Sequence, residues 1–98
     1  MSLLYLELDD EITGAIARLR AVTDGGAVMV VPAGSRIATS RINFKLLAKE
    51  AADRRLNVVA VSDEPSVRAL AISAGLPAYD TVANGEHALA TFREQDRR

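Results

Sequence analysis

Between Val30 and Arg41 the chain reads VVPAGSRIATSR. An apolar segment ends at Pro32. One glycine, three hydroxyl residues and two arginines follow before a helical pattern begins. Gly34, Ser35, Arg36, Thr39, Ser40 and Arg41 therefore form a candidate anion site. Hydroxyls and helix N–H groups would donate, and the guanidinium groups would supply charge. A polyphosphate cradle needs more than this. GxxxxGK[ST] and GxGxxG both use several glycines to bring backbone N–H groups onto the phosphates. Gly34 stands alone, so the expected ligand is a weakly held small anion. The competing reading assigns the same residues to the backbone: Ser40 caps the helix and Gly34 permits a turn.

Asp9, Asp10 and Glu11 are the second cluster. Carboxylates at a strand end can hold Mg²⁺, which makes Asp9 and Asp10 weak metal candidates. Acidic residues also suit the first turn of a helix, where the dipole favours them. Arg41, Lys45 and Lys49 recur every four residues and form a basic stripe, a candidate surface for phosphates or an acidic protein. The alternative is the solvated face of an amphipathic helix. His87 is the single histidine, with no convergent partners in sequence, and reads as a surface residue. There is no cysteine, so disulfides, thiolate metal sites and cysteine nucleophiles are excluded. There is no GxSxG nucleophile elbow. These residues compose no catalytic set, and the expectation is a protein that is not an enzyme and needs no cofactor.

Any such site must be carried by regular elements. In LLYLEL (3–8), Leu4, Leu6 and Leu8 would point one way and Leu3, Tyr5 and Glu7 the other, as in a strand. Ile12, Ala15, Ile16, Leu19 and Val22 then follow helical spacing, until Asp24-Gly25-Gly26 breaks the pattern. AVMVVP (27–32) and NVVAVS (57–62) are apolar on both faces, as strands covered from two sides must be. Between them lies a helix with a stripe of Ile42, Leu46, Leu47 and Ala51. DEPSVRALAISAG follows, with Pro65 suited to a first turn and Gly75 to a C-terminal stop. AYDTV (78–82) is a weaker, edge-type strand. A last helix is expected from about Asn84, and the tail QDRR (95–98) is expected to fray.

The order β-α-β-α-β-α-β-α predicts a three-layer α/β/α sandwich with a four-stranded parallel sheet, of flavodoxin or Rossmann-like type. The expected strand order is 2-1-3-4. Ligands in such sheets bind outside the carboxyl ends of the strands, near the reversal of strand order. The loops at 9–11, 33–40, 62–65 and 82–85 would gather there. Val30, Leu46, Val59, Val61 and Leu70 are the expected core.

The 98 residues suffice for one small domain, with a core spanning about residues 3–93. Hydrophobic residues make up 49% and aromatic ones 4%, so Val, Ile, Leu and Ala must build the interior. A net charge of −1 offers no global attraction to nucleic acid or to an acidic membrane. No apolar run reaches the ~18 residues of a membrane span, and MSLLYLELDD lacks the basic start of a signal peptide. The expected setting is cytoplasmic, including the cytoplasmic part of a membrane or envelope protein.

Two resemblances follow from these segments. VVAVSDEPSVRALAISAGLPAYDTV resembles the later half of a two-component receiver, with Ser62 at the hydroxyl position and Asp9-Asp10 at the acidic pair. Val31-Pro32 stands where the acceptor aspartate belongs, and Asp80-Thr81 where the lysine belongs. The chain is also one βα unit short. The resemblance thus implies a receiver-like shell without phosphotransfer. More broadly, residues 4–83 resemble a Rossmann-like domain of unknown role at the N-terminus of larger bacterial membrane or envelope proteins, some of them baseplate-J-like. The shared features are the DDEI start, a VVP strand end with a small-residue loop, the Asn43–Leu47 N-x-x-L-L helix, and S-x-E-P before a helix ending in Ala-Gly. That resemblance implies a non-catalytic interaction or regulatory module attached to other domains or to a protein partner. A small-ligand sensor using the 33–41 loop is the alternative function.

Overall fold

In the computed structural model, which describes residues 1–96, strands and helices alternate along the chain. The strands are β1 (Ser2–Tyr5), β2 (Gly26–Val30), β3 (Asn57–Val61) and β4 (Ala78–Tyr79). The helices are α1 (Ile12–Arg20), α2 (Arg41–Asp53), α3 (Pro65–Ser73) and α4 (Val82–Asp96), with a 3-10 turn at Ile37–Thr39. All strand pairs are parallel, and helices cover both faces of the sheet. The fold is the three-layer α/β/α sandwich with a four-stranded parallel sheet. Gln95 and Asp96 belong to α4, whereas the remainder of the tail, Arg97 and Arg98, lies outside the described residues.

The strand order is β1-β2-β3-β4, which corrects the expected 2-1-3-4. The reason is visible in β1. A central strand must bury both faces, but Leu3 is 42% and Tyr5 56% exposed, whereas Leu6 is buried. Such a strand belongs at an edge. The continuous apolar strands β2 and β3 take the centre. Each crossover then steps the same way across the sheet, so right-handed connections put α1, α2 and α3 on one face. Ala15, Leu19, Phe44, Leu47, Val67 and Ala71 pack there against Ala27, Met29, Val58 and Ala60. On the other face α4 lies alone, with Leu89 against Val28, Val59 and Val61.

Val59 and Val61 are buried as expected, while Val30 and Leu70 are half-buried. The α2 face is a correction. Leu47 and Ala51 of the expected stripe are buried, but Leu46 is 39% and Ile42 67% exposed, and Phe44 is buried in their place. Both sets satisfy helical spacing, and the larger Phe44 ring takes the core. Leu8 is a further departure at 60% exposure, because β1 ends at Tyr5 and the chain turns, with Asp10 N–H donating to Glu7 O at 3.2 Å.

Helix ends follow local chemistry. Ser40 Oγ accepts from Ile42 N–H at 3.3 Å at the start of α2. Pro65 opens α3. Beyond α3, Leu76 N–H reaches Ala71 O and Gly75 N–H reaches Ile72 O, at 2.9 and 3.0 Å, with Gly75 at φ +94°. This is a Schellman closure. The same pair of bonds closes α2, from Leu56 to Ala51 and Arg55 to Ala52, but there Arg55 occupies the left-handed position at φ +55°. α4 begins at Val82, two residues before Asn84, because Thr81 Oγ1 accepts from Asn84 N–H at 3.1 Å. No described helix is long and apolar enough to cross a membrane.

Candidate functional site

Parallel strands bring the 9–11, 33–40 and 62–64 loops to one end of the sheet; the expected 82–85 loop is instead the first turn of α4, reached through Asp80 and Thr81. With the order β1-β2-β3-β4 there is no reversal there, so no crevice opens between diverging crossovers.

In the 33–41 loop Gly34 adopts φ +80° and turns the chain, with Ser35 N–H donating to Pro32 O at 3.2 Å. Ser35 is fully buried, and its Oγ accepts from Ala38 N–H at 3.3 Å. Arg36 N–H donates to Leu8 O at 3.0 Å, tying this loop to the one after β1. Thr39 Oγ1 donates to Arg36 O at 2.7 Å, and Asn43 Nδ2 donates to Ile37 O at 3.3 Å. The arginines have partners too. Arg36 Nη1 lies 3.2 Å from Glu11 Oε1. Arg41 crosses to the end of α3, its Nε donating to Ser73 Oγ at 3.1 Å and its Nη2 to Ser73 O at 2.7 Å. The six candidate residues thus share one loop; Ser35 is buried, and the side chains of Arg36, Thr39, Ser40 and Arg41, though not buried, bond to other groups of the fold.

The acidic run is divided in the same way. Asp10 Oδ2 accepts from Glu7 N–H at 2.6 Å and lies 3.9 Å from Arg18 Nη1, and Glu11 faces Arg36, while Asp9 is exposed. Among the described residues no group of three or more His, Cys, Asp and Glu is placed to hold a metal ion. His87 is exposed on α4.

This end of the sheet does hold a cleft of about 500 Å³, between the ends of β2 and β3 and the start of α4. Val30, Val31, Pro32 and Val61 contribute apolar walls, and Ser62, Asp63, Asp80 and Thr81 contribute polar groups. Ser62 is buried, with its Oγ accepting from Glu64 N–H and its carbonyl accepting from Arg68 Nη1 at 2.8 Å. Asn84 Nδ2 donates to Asp80 Oδ1 at 2.7 Å. That bond, more than the charge of Arg68, holds the Asp80 carboxyl below the usual range. Carboxylates and no basic side chain line the cleft, which is the wrong sign for an anion. Sequence reading singled out Ser62, placed Asp63 only within the 62–65 loop, and named Asp80 and Thr81 only as standing where a receiver lysine belongs, not as groups of a site. Their signal is their position, just past the ends of β3 and β4.

The basic stripe is also partly engaged. Arg41 is held by Ser73, and Lys49 Nζ pairs with Asp53 Oδ2 at 3.0 Å one turn on. Lys45 is exposed, and beside it stand the exposed Ile42 and Leu46. On the opposite layer α4 packs over β2, β3 and β4, leaving Leu3 and Tyr5 of β1 exposed next to the half-buried Val30.

No protein-family model, no curated protein and no solved structure matches this chain.

Proposed function

We propose that this domain is a non-catalytic interaction module, carried as part of a larger bacterial protein and acting through protein contacts. The observation that supports this reading is the uncovered apolar face of β1. Leu3 and Tyr5 stand in solvent where a second helix of the α4 layer would fit. An apolar patch of this kind on a small domain is commonly a binding surface. The engagement of Arg36 and Arg41 by Glu11 and Ser73 argues in the same direction, since a ligand of the 33–41 loop would compete with partners that both arginines already have.

Replacing Tyr5 by a photo-crosslinking amino acid in the native host tests the reading. A discrete protein adduct is expected from position 5 and none from Ala90, exposed on α4. An amide-shift titration with nucleotides, phosphate and Mg²⁺ is expected to leave the spectrum unchanged. Saturable shifts across residues 33–41 at micromolar ligand would overturn the proposal in favour of a small-ligand sensor.

A further inference from the structure

We propose that the partner of the β1 strip is the outer face of α2 on a second copy of this chain. The inference rests on the interaction-module reading and names its occupant. Ile42, Lys45, Leu46 and Lys49 lie at i, i+3, i+4 and i+7, so they share one helix face. All four are exposed. This face is apolar, and its basic character comes chiefly from Lys45, because Lys49 is paired with Asp53. The strip has the complementary character. Leu3 and Tyr5 point to one side of β1, in register with Val28 and Val30, and Met1 continues the apolar row. Beyond Tyr5 come the exposed carboxylates Glu7 and Asp9.

The space also fits a helix. Strands lie about 4.8 Å apart and a helix with side chains is about 10 Å across. One helix, α4, serves a layer that faces four strands and leaves the β1 side open. Joining the sheets edge to edge is disfavoured. Leu6 N–H bonds to Val30 O, so the Tyr5 carbonyl points to the outer edge, where Arg18 Nη1 donates to it at 2.6 Å. An occupied carbonyl and a charged side chain block strand addition. Association through β1 therefore uses its face and not its edge.

The two surfaces differ, so the contact is heterologous and copies join head to tail. Sedimentation velocity on the chain tests this. The weight-average mass should rise with concentration at low ionic strength and fall as salt screens the lysine–carboxylate pairs. Two double variants, Leu3→Ser/Tyr5→Ser and Ile42→Ser/Lys45→Glu, should each be monomeric, with circular dichroism like that of the parent. Mixed in equal amounts they should form a dimer that grows no further, since each retains one intact surface. A parent chain that stays monomeric at every concentration would overturn the inference. So would a Leu3/Tyr5 variant that still associates, or a mixture that stays monomeric. A monomeric chain whose position-5 crosslinker still captures a different protein would sink self-association and leave the interaction-module reading standing.

Discussion

Gly85 meets Val61 so closely that a β-carbon at position 85 would lie 2.8 Å from the Val61 Cγ2 methyl. The same carbon would lie 3.4 Å from Val59 Cγ2 and 3.5 Å from Val28 Cγ1. This contact sets how near α4 can come to the sheet, and it is the close packing point of the one-helix layer. Val61 is β-branched and stiff at χ1, so its methyl cannot swing aside cheaply. Gly85→Ala is expected to destabilise the domain. Overpacking costs about 1–3 kcal/mol, and the better helix propensity of alanine recovers about 1. Thermal unfolding should show a Tm lower by several degrees. Gly14→Ala is the matching control, because nothing lies within 4 Å of a β-carbon there, and it should raise Tm.

Arg55 occupies the left-handed position that closes α2, where Gly75 serves α3. That conformation costs a non-glycine residue roughly 1–2 kcal/mol, and the loss of chain entropy by glycine takes back about half. Arg55→Gly should therefore stabilise the domain by about 0.5–1 kcal/mol, read as a higher urea midpoint with an unchanged slope.

Arg41 and Arg36 should separate in their effects. Arg41 makes two bonds to Ser73 and joins α2 to α3, so Arg41→Ala is expected to cost about 1 kcal/mol. Lysine should restore little, because it lacks the planar two-point donor. The Arg36–Glu11 pair is two-thirds exposed, and Arg36→Ala should move Tm by about a degree at most. Equal losses from the two variants would contradict these geometries.

Asp80 should titrate below an ordinary aspartate, because Asn84 donates to its carboxylate. Its folded value is depressed, so its contribution to stability is present above the unfolded value and is lost as pH falls through the folded one. Carbon-detected titration of Asp80 Cγ measures the shift. Asn84→Ala should move the midpoint back up, and an unmoved midpoint would show that the Asn84 bond is not its main cause.

Much of this fold is legible in the sequence, because local periodicity and cap chemistry act over a few residues. Two-faced apolar runs mark β2 and β3 as strands covered from both sides. Ser40, Pro65 and Gly75 each mark a helix end by what their own side chain or missing side chain permits. Leu3 to Leu6 reads as a strand by its residue types, but all four are apolar, so the sequence does not show that Leu3 and Tyr5 lie on an open face. Strand order is another matter. It depends on which neighbour each crossover packs against, a choice made by the summed contacts of whole elements and not by any short motif. The roll of α2 was decided the same way, when Phe44 and not Leu46 joined the buried cluster that includes Met29 and Ala60. The 33–41 loop has the residue types of an anion site, but residue types do not say where a side chain turns. Tertiary contacts hand Arg36 to Glu11 and Arg41 to Ser73, elements that lie 25 and 32 residues away along the chain. The Gly85–Val61 contact is equally nonlocal, since a glycine in a helix pattern looks like a weakness until the sheet beneath it is in place.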